Sequence, residues 1–280
     1  MGSDPLPRFR PGTEVGRAGL AALLADPARA LIALDFDGTL APIIEDPTQS
    51  RPLPQSTSAL RALAPLIGTI AVITGRPAAA AVDFGSLDQI PGIVVLGQYG
   101  RQRWQAGQLT SPPPPPGLAV ARDQLPAVLG GARAPAGTWV EDKGDALAVH
   151  TRRTADPPGA LDQLRAPLLR LAAQTGLRAE PGRLVIELRP DGADKGKTLQ
   201  DLSEEISRSA VLYAGDDLGD QPAFETIRRL QSAGQPAIAV CSRSAEVPEL
   251  AAEADLVVDG PEGVAALLTE LLRAITAPRR

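Results

Sequence analysis

Two aspartates flanking one residue, in Asp35-Phe36-Asp37, follow an unbroken apolar run, Ala30-Leu31-Ile32-Ala33-Leu34, and precede Gly38-Thr39. In extended backbone, residues two apart point to the same side, so both carboxylates project toward one site. Gly38 permits a sharp turn behind them. A second acidic group, Gly215-Asp216-Asp217 with Asp220 three residues on, follows another apolar run at 211–214. Neighbouring carboxylates repel unless a cation joins them. Together with Asp35 they form an oxygen-rich, anionic pocket suited to a hard divalent ion, and magnesium with retained waters fits best. Zinc lacks its usual ligands, since His150 and Cys241 are the sole histidine and cysteine. Asp220 suits either a helix N-cap or a place near the metal. Thr74-Gly75-Arg76-Pro77 closes an apolar run and opens a helix. Thr74 offers a hydroxyl, as an N-cap or toward an anion, and free amides at the helix start can hold an anion. Lys195, in Asp194-Lys195-Gly196-Lys197, precedes a predicted helix and adds a cation.

These residues need a scaffold that gathers them. Short, fully apolar runs at 30–34, 69–73, 93–96, 211–214, 237–241 and 256–258 read as strands buried on both faces. Helical stretches are expected at 19–24 with 28–30, 58–66, 222–230, 247–253 and 263–275. This alternation predicts an α/β fold, a doubly wound parallel sheet. Ligands of such sheets bind beyond the carboxyl ends of the strands, where the polar residues sit. The middle of the chain differs. The proline run 112–116 must be extended. Helical patterns at 118–129 and 161–175 and strand patterns at 139–150 and 183–188 predict a smaller α+β domain. Residues 112–189 are therefore expected as a domain inserted into a core of 1–111 and 190–280.

Hydrophobic residues make up 44% of the 280, enough for a sizeable core. Aromatics are 3%, too few for a base-stacking surface or an obvious interface anchor. A net charge of -5 repels a nucleic-acid backbone, but leaves a small anionic substrate possible through local cations. No apolar run reaches the length of a membrane span, and the N-terminus lacks a signal peptide's apolar stretch. The expectation is a cytoplasmic protein, a monomer or weak homo-oligomer without nucleic-acid or membrane partners. Cys241, in an apolar run, reads as a small core residue.

Asp-Phe-Asp-Gly-Thr-Leu at 35–40, Thr74, Lys195 and Gly-Asp-Asp at 215–217 resemble, in order and spacing, the four motifs of the haloacid dehalogenase (HAD) superfamily. A narrower resemblance is to trehalose-6-phosphate phosphatases. It rests on Val140-Glu141-Asp142-Lys143, Ala148-Val149-His150, Glu187-Leu188-Arg189-Pro190, Lys195-Gly196, and Gly215-Asp216-Asp217 with Asp220 and Ala223-Phe224. It covers about residues 30 to 275.

The resemblance implies a HAD-like core with an inserted C2-type cap, and hydrolysis of trehalose 6-phosphate with Mg2+. It implies Asp35 as nucleophile forming an aspartyl-phosphate and Asp37 as general acid and base. It implies metal held by Asp35, the Asp37 carbonyl and Asp216, with Lys195 and Thr74 on the phosphoryl oxygens. Asp217 and Asp220 would orient Lys195 and metal-bound water. Glu141, Lys143 and Glu187 match cap positions that contact sugar, and Arg76 joins them as a candidate substrate-binding residue. Arg189 is expected to brace the cap hinge or an ion pair, and His150 to be structural. Cap closure is expected to exclude water in the first step. The chain departs from the family at three places: Gln98-Tyr99 within Gly-x-His-Gly, Thr151 where tyrosine often stands, and Gly219-Asp220-Gln221-Pro222 after the paired aspartates. These differences bear on the substrate, so sucrose phosphate, glycosyl-glycerate phosphates and pseudo-disaccharide phosphates stand as alternatives. A phosphomutase and a non-catalytic sugar-phosphate sensor are the remaining ones.

Overall fold

The computed structural model describes residues 8–44, 46–182, 184–192, 194–206, 208–243 and 248–277. The chain divides into two compact units, Met1–Ser111 with Asp194–Arg280, and Pro112–Ala193. The larger unit begins with α1 (Glu14–Ala25), β1 (Leu31–Leu34), α2 (Pro54–Leu63), β2 (Thr69–Ile73), α3 (Ala78–Gly85), β3 (Val94–Gly97), β4 (Gln102–Gln105) and β5 (Gln108–Thr110). The smaller unit holds α4 (Pro116–Gly131), β6 (Trp139–Asp142), β7 (Leu147–His150), α5 (Pro157–Thr175), β8 (Arg178–Gly182) and β9 (Val185–Arg189). The chain then completes the larger unit with α6 (Lys195–Glu205), β10 (Val211–Gly215), α7 (Gln221–Ser232), β11 (Ala237–Ser242), α8 (Pro248–Glu253), β12 (Leu256–Val258) and α9 (Gly260–Thr276).

The larger unit is an eight-stranded sheet in the order β12-β11-β10-β1-β2-β3-β4-β5. Its first six strands are parallel. Alternate residues of β1 feed different cores, which is why the whole run is apolar. Ile32 and Leu34 pack with Leu23 of α1, Leu60 of α2 and Leu268 of α9. Leu31 and Ala33 pack with Leu199 of α6 and Phe224 of α7. Helices thus cover both faces, as expected of a doubly wound sheet.

At the edge of the parallel sheet, β4 and β5 add an antiparallel hairpin beside β3. Its two turn residues, Ala106 and Gly107, have φ of 51° and 79°. That handedness matches the twist of paired strands. Both strands are short and polar, so no apolar run announced them.

The smaller unit is an antiparallel sheet, β6-β7-β9-β8, with α4 and α5 on one face. Leu147, Val149, Ile186 and Leu188 point to those helices and meet Leu118, Leu125, Leu164 and Leu168. The stretch 139–150, read as one alternating strand, is two strands joined by a turn. Lys143 N donates to Ala146 O at 2.9 Å and Gly144 has φ of 85°. The sequence Asp142-Lys143-Gly144-Asp145 is a turn signal that the alternation obscured. β8 was not anticipated: it is polar, half-exposed and carries Pro181 at the sheet edge, where proline is tolerated. Elsewhere ends move by a few residues, most at α1, and 27–29 is a 3-10 turn rather than helix. Val247 and Arg183, read as element ends, lie outside the described residues. Among the described residues no helix is long and apolar enough to cross a membrane.

Candidate active site

The C-terminal ends of β1 and β10 lie side by side, because Leu34 registers with Ala214 and Asp35 N donates to Ala214 O at 2.9 Å. Asp35 and Asp216 therefore emerge together, both buried. Lys195 opens α6 behind the N-cap Asp194, and its buried Nζ lies 2.9 Å from Asp35 Oδ1 and 2.7 Å from Asp220 Oδ1. The predicted cation is thus locked between two buried carboxylates.

Asp220 is completely buried and holds four donors. Its Oδ1 accepts from Lys195 Nζ at 2.7 Å and from the Tyr213 hydroxyl at 2.5 Å. Its Oδ2 accepts from Asp216 N at 3.0 Å and Asp217 N at 3.1 Å. A carboxylate has about four lone-pair directions, so Asp220 is saturated. Asp217 is exposed and caps the turn at 218–220 by accepting from Gly219 N at 2.8 Å.

Asp35, Asp216 and Asp220 place carboxylate oxygens within 4.8 Å of one another, the spacing of a metal site. Since Asp220 is committed, Asp35 and Asp216 remain as side-chain ligands. Asp216 Oδ1 is buried with no hydrogen-bond partner, a state that costs free energy unless a cation supplies the missing contact. Without one, burial pushes the Asp216 carboxyl up to about 10, with the charges of Asp220 and Asp35 adding to the effect. Burial also drives Asp35 well above the usual carboxylate range, against the pull of Lys195. Burial alone would neutralise Lys195, but Asp220 and Asp35 outweigh it and keep the ammonium protonated. The acids thus outnumber the cations, and an oxygen-preferring divalent ion fits the deficit. Gly38 shapes this space: its φ is +76°, and a Cβ there would sit 2.0 Å from Asp216 Oδ2.

Asp37 faces a different partner. Arg76 grips it through two bonds, Nε to Oδ2 and Nη2 to Oδ1, both 2.6 Å. Nη2 also donates to Pro47 O at 2.8 Å, and the guanidinium lies 5.1 Å from the Phe36 ring centroid. Arg76, expected to bind substrate, is paired here with Asp37. Thr74 is buried and its Oγ1 accepts from Arg76 N at 3.1 Å, leaving its proton to give. The helix start behind it is less open than expected. Pro77 has no amide proton, and Ala78 N already donates to Gln102 Oε1 at 2.9 Å.

Within the smaller unit, the face opposite its helices carries a polar row. Glu141 registers with Ala148, and Ala148 with Glu187. Lys143 Nζ pairs with Glu187 at 3.0 Å, and Glu141 meets His150 Nε2 at 3.0 Å. His150 stacks on Trp139 with centroids 4.0 Å apart, and Arg189 pairs with Glu180. The three sugar-contact candidates of this unit therefore share one face. Sequence reasoning did not single out Tyr213; its signal is one hydroxyl inside an otherwise apolar buried strand.

The trehalose-phosphatase family profile matches residues 33–262. The chain is 38% identical over 215 residues to an uncharacterized glycosyl hydrolase of Mycobacterium tuberculosis, covering 71% of this chain and 15% of that protein. It is 30% identical over 268 residues to the trehalose-phosphate phosphatase of Mycobacterium leprae, covering 89% of this chain and 59% of that one. It thus spans less than two thirds of either relative. Among solved structures it resembles the C-terminal domain of a C. albicans trehalose-6-phosphate phosphatase, with a TM-score of 0.72, 20% identity and coverage of 94% and 98%.

Proposed function

We propose, for a chain that belongs to the trehalose-phosphatase family, that it hydrolyses trehalose 6-phosphate to trehalose and phosphate through an aspartyl-phosphate on Asp35. The observation that carries this reading is a buried carboxylate, Asp35, 2.9 Å from a buried, protonated Lys195 and beside the unpartnered oxygen of Asp216.

Asp35 attacks phosphorus in line, forming the carboxylate–phosphorus bond as the phosphorus–sugar oxygen bond breaks. Asp37, in its protonated form, gives its proton to the departing sugar oxygen, which is too basic to leave as an alkoxide. It is then a carboxylate and takes a proton from water, whose oxygen bonds phosphorus and releases Asp35. One residue serves both steps because the first leaves it as a base. Arg76 keeps its carboxylate aimed through two hydrogen bonds. Lys195 and the Thr74 hydroxyl steady the phosphoryl oxygens. Mg2+ held by Asp35, Asp216 and the main-chain carbonyl of Asp37 would supply the charge that offsets carboxylate–phosphate repulsion.

Lys143, Glu141 and Glu187 are the groups proposed to read sugar hydroxyls, since paired charges bind several at once. The cytoplasm is the proposed compartment. Phosphate release is measured on trehalose 6-phosphate, sucrose phosphate and glycosyl-glycerate phosphates, with Mg2+ and after chelation. The expected result is magnesium-dependent release, fastest on trehalose 6-phosphate and abolished in Asp35→Asn. Turnover retained by Asp35→Asn removes the nucleophile, and turnover surviving chelation removes the metal.

A further inference from the structure

Two consecutive non-glycine residues, Gln98 and Tyr99, adopt left-handed backbone, with φ of 48° and 57°. Outside glycine this conformation is disfavoured, and a pair in succession persists only where the surroundings impose it. Here they do. Gln98 N donates to Arg76 O at 2.8 Å and Tyr99 N to Thr74 O at 3.0 Å. From the other side, the Thr198 hydroxyl donates to Tyr99 O at 2.6 Å. Thr198 lies on α6, one turn beyond Lys195. The strained turn is therefore sewn to both segments that carry phosphate-handling groups, Thr74 and Lys195.

The side chain has a matching seat. Gly75 leaves open the space that a Cβ would fill, and the Tyr99 ring occupies it: the hydroxyl lies 2.8 Å and Cζ 2.9 Å from that position. A larger residue at 75 would require the phenol to shift. The phenol tip is thus placed on the residue between Thr74 and Arg76, and Tyr99 is half-buried, so solvent reaches it. Backbone strain and a glycine-shaped seat together aim one neutral hydroxyl at the turn where the phosphoryl group must rest. A phenol both donates and accepts, so it can serve an anion while keeping a second partner.

We propose that Tyr99 is a substrate-contacting residue, its phenolic hydroxyl donating a hydrogen bond to a phosphoryl oxygen of the bound phosphate monoester. This rests on the phosphatase reading above.

The test is Tyr99→Phe, which keeps the ring in its seat and removes only the hydroxyl. Steady-state KM and kcat on trehalose 6-phosphate, the inhibition constant of inorganic phosphate, and the melting temperature are measured beside wild type and Asp35→Asn. A hydrogen bond to a charged group is worth roughly tenfold in binding. The expected result is a rise of about tenfold in both KM and the phosphate inhibition constant. The melting temperature and kcat should stay close to wild type. If both constants move less than twofold while Asp35→Asn is inactive, Tyr99 does not touch substrate and the phosphatase reading stands. If KM rises and the phosphate constant does not, the hydroxyl meets sugar and the phosphoryl assignment is overturned. If Asp35→Asn retains turnover, the underlying reading fails instead.

Discussion

Replacing Asp220 with asparagine tests the buried charge network directly. Asp220 is fully buried and pairs with Lys195, whose side chain is 5% exposed. The carboxylate satisfies four donors at once: the lysine, the Tyr213 hydroxyl and two backbone amides. Asparagine offers one acceptor oxygen, and its amide group must face donors on the other side. Removing one partner of a buried pair costs about 3–5 kcal/mol. Lys195 keeps Asp35 at 2.9 Å, which places the expected loss near the lower bound, about 3 kcal/mol. For a chain of this size that is a fall of about 6–12 °C in melting temperature. The pH dependence has a definite sign. Burial alone would raise the Asp220 carboxyl, but Lys195 and the hydrogen bonds overcome it and hold it below its ordinary 3.8. A depressed carboxylate contributes stability that is complete above its unfolded value and lost as pH falls through its folded one. Urea unfolding at pH 7 and at pH 3.5, wild type against Asp220→Asn, should give the full deficit at the first and a smaller one at the second. A variant as stable as wild type at pH 7, or a deficit that ignores pH, would show that Asp220 does not anchor Lys195.

Gly38→Ala forces a Cβ to within 2.0 Å of Asp216 Oδ2 at a φ of +76°; a stability loss of about 1–3 kcal/mol is expected, with weaker Mg2+ binding by calorimetry, and unchanged binding would refute the packing argument. Burial raises the Cys241 thiol to about 11, so at pH 8 it stays protonated and a thiol reagent should react only after unfolding; fast reaction of the native protein would contradict this. Lys143→Ala and Glu187→Ala, which break a 3.0 Å pair, should narrow the preference for trehalose 6-phosphate over other sugar phosphates without abolishing phosphate release; an unchanged substrate ratio excludes the pair from sugar recognition.

Much of the site was legible because its residues stand where local pattern changes. Leu31–Leu34 is uniformly buried and Asp35 follows it at once. Val211–Gly215 repeats the arrangement before Asp216. A parallel sheet puts such ends on one edge, so four short stretches could be assigned to one place without coordinates. The hairpin Gln102–Thr110 and the edge strand Arg178–Gly182 were not legible. Their residues are polar, and their strand state comes from pairing with β3 and β9 rather than from a buried face.

The sequence by itself determined which strand ends bring acids to one edge of the sheet, since apolar strands must be buried and their polar ends must gather. Only the tertiary structure decided how those groups divide the work. Asp37 and Arg76 are 39 residues apart, and Lys195 and Asp220 are 25 apart. Such partners are chosen by strand register and side-chain direction, which no local pattern encodes. That choice separates Asp220, saturated by four donors, from Asp216, whose buried oxygen still lacks a partner. Hydrophobic burial is additive along the chain and can be read in order; a buried polar network is satisfied or not only in three dimensions.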